Sequence, residues 1–395
     1  MRGDLRERER RYLMNTYKRA EVEFVRGDGA LLYDSDGAEY LDFLGGISVT
    51  SVGHCRPEVV TAVSEQAGRL MHVSNLFYTS QMIDLAERLS DSSLGGPVFF
   101  CNSGTEANEC AIKIARKKAH MRGVELPRMI TFEGDFHGRS YGSLSATPRL
   151  NENPAFGPML PGFTAVPFND PDALRAAAAP DLAAVMLEVI QGEAGVFPVS
   201  DDLLATAREI CDRHDALLVI DEVQTGVGRT GSLWAYQQGP VRPDLITVAK
   251  ALGGGTAIGA CIGTPESGSV LEPGDHGSTF AAGPVASSAA LEVLELVDRP
   301  DTLRHIRDLG GRLARDLAGL DGVHEVRGRG LMLGVGLEPG IDSAGLAAAL
   351  LADGMVVNAP RPDTLRLMPP FVLTAEQADL AVDKVASALS GTEAK

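Results

Sequence analysis

A lysine and a carboxylate each follow a short apolar segment that reads as a buried strand. Lys250 comes after residues 245–248 and precedes three glycines, and Asp221 directly follows residues 217–220. A partly desolvated lysine has a lowered pKa and can form a Schiff base with a carbonyl compound. A carboxylate at a strand end needs a cation or proton donor, which a pyridinium nitrogen would supply. Taken singly, the lysine is equally consistent with a side chain that extends into solvent. The aspartate is equally consistent with a helix cap or a metal ligand.

A possible phosphate site follows another apolar segment, residues 98–101. Ser103, Gly104 and Thr105 stand between this segment and a helix with an apolar stripe. Free backbone amides and the positive end of the helix dipole favour an anion at such a turn, and the two hydroxyls add donors. No Gly-Lys-Ser/Thr follows, which excludes a Walker-type nucleotide loop. Alone, the pattern is equally typical of a helix cap with a tight turn.

An aromatic ring and an arginine follow a fourth apolar segment, residues 128–132. Phe136 can stack on a flat ring, and Arg139 can bind a carboxylate through two hydrogen bonds. His137 between them fits either a place beside a cofactor or a hydrogen-bonded structural role. Phe136 as core and Arg139 as a surface ion pair are the alternatives. The four strand ends together predict a pyridoxal-phosphate site, because no single structural explanation covers all of them.

The order of the predicted elements indicates how these groups are positioned. Apolar strands alternate with amphipathic helices from about residue 55 to 285, which predicts an α/β fold with a mostly parallel sheet covered on both faces. Ligands of such sheets bind beyond the carboxyl ends of the strands. The C-terminal part reads as a smaller α+β domain. The predicted division is an N-terminal segment (1–54) packed on the small domain, a large cofactor-binding domain (55–285) and a small domain (286–395).

Composition and charge limit the classes of function. The formal charge of −17 disfavours nucleic acid and anionic membranes as partners. No apolar stretch approaches the roughly 20 residues of a membrane span. The five cysteines are scattered without a Cys-x-x-Cys pair, and the eight histidines show no metal-ligand spacing. We therefore expect a cytoplasmic protein without a metal.

The motifs at the strand ends resemble those of the class III aminotransferases, which have the fold-type-I architecture of pyridoxal-phosphate-dependent transferases. The resemblance extends from about residue 15 to 389. Its most specific segments are Asn-Ser-Gly-Thr-Glu-Ala-Asn-Glu at 102–109, Phe-His-Gly-Arg at 136–139, Asp-Glu-Val-Gln-Thr-Gly-Val-Gly-Arg-Thr-Gly at 221–231, Ala-Lys-Ala-Leu-Gly-Gly-Gly at 249–255 and Gly-Ser-Thr-Phe at 277–280.

The resemblance implies a role for each residue around the cofactor. Lys250 would carry the cofactor and later move the proton, and Asp221 would pair with the pyridine nitrogen. Active sites in this family are shared between the two subunits of a homodimer. The residues implied to bind the cofactor are Ser103, Gly104, Thr105, Phe136, His137, Asp221, Val223, Gln224, Lys250 and, from the other subunit, Thr279.

Substrate recognition is implied to depend on two arginines. Arg366 resembles the family arginine that binds the α-carboxylate of glutamate, and Arg139 would bind the other carboxylate. Glu193 resembles the glutamate that masks Arg366 when an ω-amine occupies the site. Ser278 is a further implied substrate contact. Ile47 stands where ornithine aminotransferases carry a tyrosine, which favours a donor without a free α-amino group.

Within the class, the resemblance is greatest to the acetylornithine aminotransferases of arginine biosynthesis. It implies transfer of the ω-amino group of N2-acetylornithine, or a similar N-acylated diamino acid, to 2-oxoglutarate, giving a semialdehyde and glutamate. Alternatives are an ornithine or other ω-amino acid aminotransferase of a specialised pathway, and a racemase, lyase or aminomutase on the same scaffold. A non-catalytic binding protein would lack a catalytic group, and none is missing.

Overall fold

The computed structural model describes residues 4–151 and 153–392. The helices are α1 Leu5–Tyr12, α2 Gly45–Ser48, α3 Pro57–Ala67, α4 Ser80–Ser92, α5 Gly104–Met121, α6 Tyr141–Ser145, α7 Pro148–Asn151, α8 Pro171–Ala177, α9 Asp201–His214, α10 Pro284–Val297, α11 Pro300–Ala318, α12 Ser343–Ala352 and α13 Ala375–Thr392. The strands are β1 Phe24–Asp28, β2 Leu31–Asp34, β3 Glu39–Asp42, β4 Val98–Cys101, β5 Arg128–Phe132, β6 Phe163–Val166, β7 Leu182–Glu188, β8 Ile190–Gln191, β9 Phe197–Pro198, β10 Leu217–Asp221, β11 Leu245–Val248, β12 Gly259–Gly263, β13 Val323–Arg329, β14 Met332–Leu337, β15 Met355–Val356, β16 Asn358–Arg361 and β17 Thr364–Leu367.

The largest sheet has the strand order β4-β12-β11-β10-β7-β5-β6. The strands β11, β10, β7, β5 and β6 are parallel to their neighbours in this series, whereas β12 is antiparallel to both β11 and β4. Because β4 is antiparallel to β12, it runs in the same direction as β11. The carboxyl ends of all these strands except β12 therefore meet at one edge, which confirms the predicted α/β fold with a mostly parallel sheet.

Continuous apolar sequence explains the centre of this sheet. Every residue of β7, β10 and β11 is buried. A parallel strand that is covered on both faces must be apolar on both, so its sequence does not alternate. The predicted stripe on α5 is also confirmed, since Ala107, Cys110, Ala111, Ile114 and Ala115 are buried. The strand ends are thus fixed by a core that leaves little room for shifts in register.

Two four-stranded sheets and the two-stranded sheet of β8 and β9 accompany the large sheet in the described residues. The strands β13, β14, β17 and β16 form an antiparallel sheet that α11 and α12 contact. The strands β1, β2 and β3 form an antiparallel sheet, and β15 from the C-terminal part pairs with β3 in parallel. The N-terminal strands therefore join a C-terminal strand, while the boundaries at 54 and 285 stay a prediction. Reciprocal hydrogen bonds between Thr374 and Gln377 form a capping box at the start of α13.

Within residues 4–151 and 153–392, no helix has the length and apolar character needed to cross a membrane. Among the same residues, no group of three or more His, Cys, Asp or Glu side chains is arranged to hold a metal ion.

Candidate active site

A cavity of about 450 Å³ opens at the carboxyl edge of the large sheet. Its lining includes side chains from the ends of β4, β5, β7, β10 and β11 and the loop before β12. The predicted residues that it brings together are Ser103, Gly104, Thr105, Phe136, His137, Arg139, Asp221, Val223, Gln224 and Lys250. The strand directions therefore gather groups that lie far apart in the sequence.

Asp221 ends β10 and is held in one orientation by three donors. Its Oδ2 accepts a hydrogen bond from Asn108 Nδ2 at 2.8 Å and lies 2.8 Å from His137 Nδ1, while Oδ1 accepts from the Val223 amide at 2.9 Å. Asn108 is itself oriented by the Thr247 hydroxyl at 2.6 Å. The carboxylate is thus fixed before any ligand binds.

The imidazole of His137 is fully buried beside two carboxylates. Burial by itself lowers the pKa of His137, but the carboxylates of Asp135 and Asp221 outweigh it and raise that pKa to about 10. The ring is therefore charged at neutral pH, and its Nδ1–H donates to Asp221. This buried cation compensates the negative charge of Asp221 at the floor of the cavity.

Lys250 follows β11 and lines the same cavity. Its backbone has a φ of 42°, in the left-handed region that non-glycine residues rarely adopt. Burial lowers the pKa of Lys250, and the guanidinium of Arg366 lowers it further, although the carboxylates of Glu193 and Asp221 oppose this effect. A lysine with a lowered pKa more readily supplies the neutral amine that nucleophilic attack requires.

The turn between β4 and α5 places a helix N-terminus at the cavity. Ser103 caps α5 by accepting a hydrogen bond from the Glu106 amide. A Cβ on Gly104 would lie 2.7 Å from a Val223 methyl group, so only glycine permits this close approach. Thr105 Oγ1 accepts from the amides of Arg139 and Ser140 at 3.3 and 3.2 Å, which ties the turn to the loop after β5.

Phe136 and Arg139, from the loop after β5, also line the cavity. The guanidinium of Arg139 is exposed and lies 5.7 Å from the centre of the Phe136 ring. The Phe136 amide donates to Glu188 Oε2 at 3.0 Å. Glu188 lines the cavity although its chemistry was not anticipated from the sequence, where it appears only as the last residue of an apolar strand.

Arg366 lies in β17 with none of its surface exposed, and its guanidinium is paired. Its Nη1 donates to Glu193 Oε1 at 2.6 Å and to Gln224 Oε1 at 3.3 Å, and its Nε donates to Asn358 Oδ1 at 3.1 Å. Gly192 permits this arrangement, because a Cβ there would overlap Gln224 Oε1. Since Gln224 accepts through its oxygen, its amide nitrogen is directed elsewhere.

Ser278 and Thr279 lie outside this cavity in the same chain. Ser278 Oγ accepts from Asn102 Nδ2 at 3.0 Å, and Thr279 is exposed. Both residues border a separate surface depression that Asn75 and Leu76 also line. Their implied roles at the cofactor and substrate stay predictions.

The chain is similar to known proteins over nearly its whole length. A family model, Aminotransferase class-III, matches residues 12–389. The acetylornithine aminotransferase of Caldanaerobacter subterraneus subsp. tengcongensis is 43% identical over 389 residues, which are 97% of this chain and 98% of that protein.

Solved structures share the fold. An ornithine aminotransferase from Toxoplasma gondii, whose structure is described as having partial occupancy of pyridoxal phosphate at its active site, has a TM-score of 0.92 and 32% identity over 98% of this chain and 93% of that one. The N-acetylornithine aminotransferase of Stenotrophomonas maltophilia K279a has a TM-score of 0.85 and 36% identity, covering 99% and 100% of the two chains. The chain therefore belongs to the class III aminotransferases, a family of pyridoxal-phosphate-dependent enzymes.

Proposed function

We propose that this aminotransferase moves the ω-amino group of N2-acetylornithine, or a similar N-acylated diamino acid, to 2-oxoglutarate. The products are the semialdehyde and glutamate. The observation that carries the proposal is the 2.6 Å ion pair between the buried Arg366 and Glu193, beside the cavity that holds Lys250 and Asp221. The names of the relatives from Caldanaerobacter and Stenotrophomonas agree with this substrate class.

The cavity residues fit pyridoxal phosphate. When bound, this cofactor supplies an electrophilic carbonyl and an electron-accepting ring for amino-group transfer. Asp221 is fixed by three donors and would hold the charged pyridine nitrogen. The start of α5 with Ser103, Gly104 and Thr105 would hold the phosphate, since its free amides and helix dipole favour an anion.

The remaining walls suit a flat ring. Phe136 and the methyl groups of Val223 would contact its two faces, and His137 would act through Asp221. Gln224 accepts from Arg366 through Oε1, so its Nε2 is able to donate to a phenolic oxygen. Lys250 would hold the cofactor through Nζ and then, once released, move a proton at the carbon that bears the substrate nitrogen.

The two arginines would distinguish the amino donor from the amino acceptor by the number of carboxylates that each carries. An N-acylated diamino acid presents its ω-amine to Lys250 and needs one cation for its α-carboxylate, which Arg139 would provide. The ion pair with Glu193 keeps Arg366 compensated while this donor is bound, because an unpaired buried cation is costly. Glutamate and 2-oxoglutarate carry two carboxylates, and we propose that they displace Glu193 and use both arginines.

A homodimer with shared active sites is part of the proposal. Thr279 is exposed and would reach the phosphate of the partner subunit. Large apolar side chains near it are also exposed, which soluble monomers rarely tolerate as a patch. These side chains are Leu76, Phe77, Tyr78 and Phe280.

A panel of amino donors tests the function. We expect N2-acetylornithine with 2-oxoglutarate to yield glutamate, with a kcat/KM well above those of ornithine and γ-aminobutyrate. Turnover of an amino acid without any keto acid would instead indicate racemase or aminomutase chemistry, and no turnover with any ω-amine would refute the proposal. Lys250→Ala should abolish turnover and the borohydride-trapped cofactor adduct, whereas Lys384→Ala, at a surface ion pair with Asp353, should retain both.

A further inference from the structure

A second, smaller cavity lies beside the first. Its volume is about 130 Å³, and Phe136 and Arg139 line both cavities. Its wall also includes Glu193 and Arg361. The proposed reaction gives Glu193 a role as the residue that masks Arg366, but it gives none to Arg361.

Arg361 and Arg366 come from the same hairpin. In the antiparallel pair of β16 and β17, Arg361 is the register partner of Thr364, and Arg366 is the partner of Asn358. Arg366 is fully buried and ion-paired, whereas Arg361 is exposed at the end of its strand. Within the described part of the chain, no carboxylate forms an ion pair with the Arg361 guanidinium.

The loop that carries Glu193 is anchored next to Arg361. Arg327 donates to the Gly195 carbonyl at 2.9 Å, which fixes the end of this loop. Gly195 has a φ of 120°, and a Cβ there would contact Arg361 Cγ at 3.4 Å, so the backbone passes close to the arginine stem. Glu193 itself keeps 36% of its side chain exposed. Its backbone is therefore held while its carboxylate has space to turn.

The second half-reaction requires this turn. If glutamate or 2-oxoglutarate binds Arg366, as in the proposed function, its carboxylate replaces that of Glu193. Two carboxylates at one buried guanidinium repel each other, and a displaced carboxylate in a narrow cavity is costly without a new partner. The adjoining cavity has the Arg361 guanidinium at its wall, with which none of the described carboxylates forms an ion pair.

We propose that Arg361 receives the Glu193 carboxylate when a dicarboxylate occupies Arg366. This inference rests on the proposed aminotransfer to 2-oxoglutarate. Arg361 then acts as a positioning residue, because it stabilises the unmasked state without touching the reacting atoms. Arg361 favours only the half-reaction in which the dicarboxylate binds, because Glu193 stays paired with Arg366 while the N-acylated donor reacts.

The neutral variant Arg361→Gln tests this role. We expect the KM for glutamate and for 2-oxoglutarate to rise roughly fivefold, the size of one half-exposed ion pair, with no change in the KM for N2-acetylornithine. Glutarate is a dicarboxylate that cannot react. The glutarate concentration that gives a fixed rise in the melting temperature of the protein should increase by the same factor. Arg315→Gln, which removes an exposed arginine of α11, should change neither value.

A double-mutant cycle with Glu193→Ala separates the possible outcomes. Without a carboxylate at position 193, the effect of Arg361→Gln on glutamate should disappear. An equal effect of Arg361→Gln in the wild-type and Glu193→Ala proteins would refute the inference. A selective rise in the KM for N2-acetylornithine would also refute it, because it would assign Arg361 to binding of the acyl group. Failure of the proposed function would be seen separately, as absence of aminotransfer by the wild-type protein.

Discussion

Asp221 and Glu188 are register partners at the carboxyl ends of two adjacent parallel strands, and both are buried. Asp221 accepts hydrogen bonds from Asn108, His137 and a backbone amide, whereas Glu188 accepts one from the Phe136 amide. Burial raises the pKa of Glu188 to about 8, and the carboxylates of its neighbours contribute to the rise. Glu188 is therefore protonated at neutral pH, because two adjacent buried carboxylates do not both ionise.

Replacing Glu188 by Gln should make the folding stability less dependent on pH. In the folded state Glu188 keeps its proton up to about pH 8, while the unfolded chain loses it near its ordinary value of 4.5. The folded state thus binds more protons across this window, and wild-type stability falls as the pH rises through it. Glu188→Gln removes this loss. The free energy of unfolding of the variant, relative to that of the wild type, should therefore increase with pH by a few kcal/mol up to about pH 9. Urea unfolding of the cofactor-free protein across this range measures the difference.

The control for this experiment is Glu209→Gln, which changes an exposed carboxylate of α9 that pairs with Arg213. This variant should follow the wild-type pH dependence. Parallel curves for the wild type and Glu188→Gln would show that Glu188 is ionised in the folded protein.

Asp221→Asn should retain the fold and lose most of the activity. The amide has the shape of the carboxylate but no charge, so it neither compensates His137 nor holds a pyridinium proton. We expect kcat to fall by roughly 100-fold or more, as when a fixed electrostatic partner is removed from an active site. The pKa of His137 should also fall, since one of the two carboxylates that raise it is lost. Steady-state kinetics and the NMR titration of the His137 ring measure the two effects.

The surface variant Asp215→Asn is the matched control, because Asp215 pairs with Lys118 far from the cavity. A kcat within a few-fold of the wild type in Asp221→Asn would contradict the role proposed for this carboxylate.

The residues that follow the strands were predicted well from the sequence, because the direction of the strands alone determines at which edge of the sheet these residues lie. Once several apolar strands are parallel, the residues that follow them must lie at one edge, and Thr105, Asp221 and Lys250 do so. The strand β12 was not predicted. Its five residues begin and end with glycine and show no periodicity, yet it pairs between β4 and β11 and brings its amino end to the cavity.

The interior of the site was harder to predict, because it depends on register and on helix phase. Glu188 faces Asp221 only through the pairing of β7 with β10, and Asn108 reaches Asp221 only through the rotation of α5. Arg229 appeared in the sequence merely as part of a glycine-rich motif. The role proposed for Thr279 requires a second subunit, so it stays a prediction.

Ile47 offers a test of donor choice. It lies in α2, where Gly46 and Ile47 have left-handed backbone angles, and Val49 just after it lines the main cavity. Its aliphatic side chain provides no partner for a free α-ammonium group. Ile47→Tyr adds a hydroxyl that accepts a hydrogen bond from such a group, so the ratio of kcat/KM for ornithine to that for N2-acetylornithine should rise about tenfold. Parallel kinetics with both donors measure this ratio.

The apolar control is Ile47→Val, which removes one methylene group, adds no polar group and should leave the ratio near the wild-type value. If Ile47→Tyr lowers both rates equally, the side chain at this position does not discriminate between the donors.

Arg229 connects three segments around the site while fully buried. Its guanidinium donates to the Ser48 and Ser51 hydroxyls at 3.0 and 2.6 Å, and to the Leu331 and Pro369 carbonyls at 2.9 and 2.6 Å. Burial lowers the pKa of Arg229 to about 9, although the negative charge of Asp42 opposes this effect. The bonds hold α2 against the chain that follows Arg366.

Arg229→Lys should therefore be destabilising although the charge is kept. A lysine ammonium has three donors and no planar fork, so at least one buried acceptor loses its partner, which costs about 1–3 kcal/mol. Loosening of α2 should also raise the KM for N2-acetylornithine, because Val49, at the end of α2, lines the cavity. Urea unfolding and steady-state kinetics measure both effects against Arg312→Lys, which changes a half-buried arginine paired with Asp316 and Asp379. If Arg229→Lys and Arg312→Lys unfold at the same urea concentration, the four hydrogen bonds of Arg229 do not contribute to holding α2 in place.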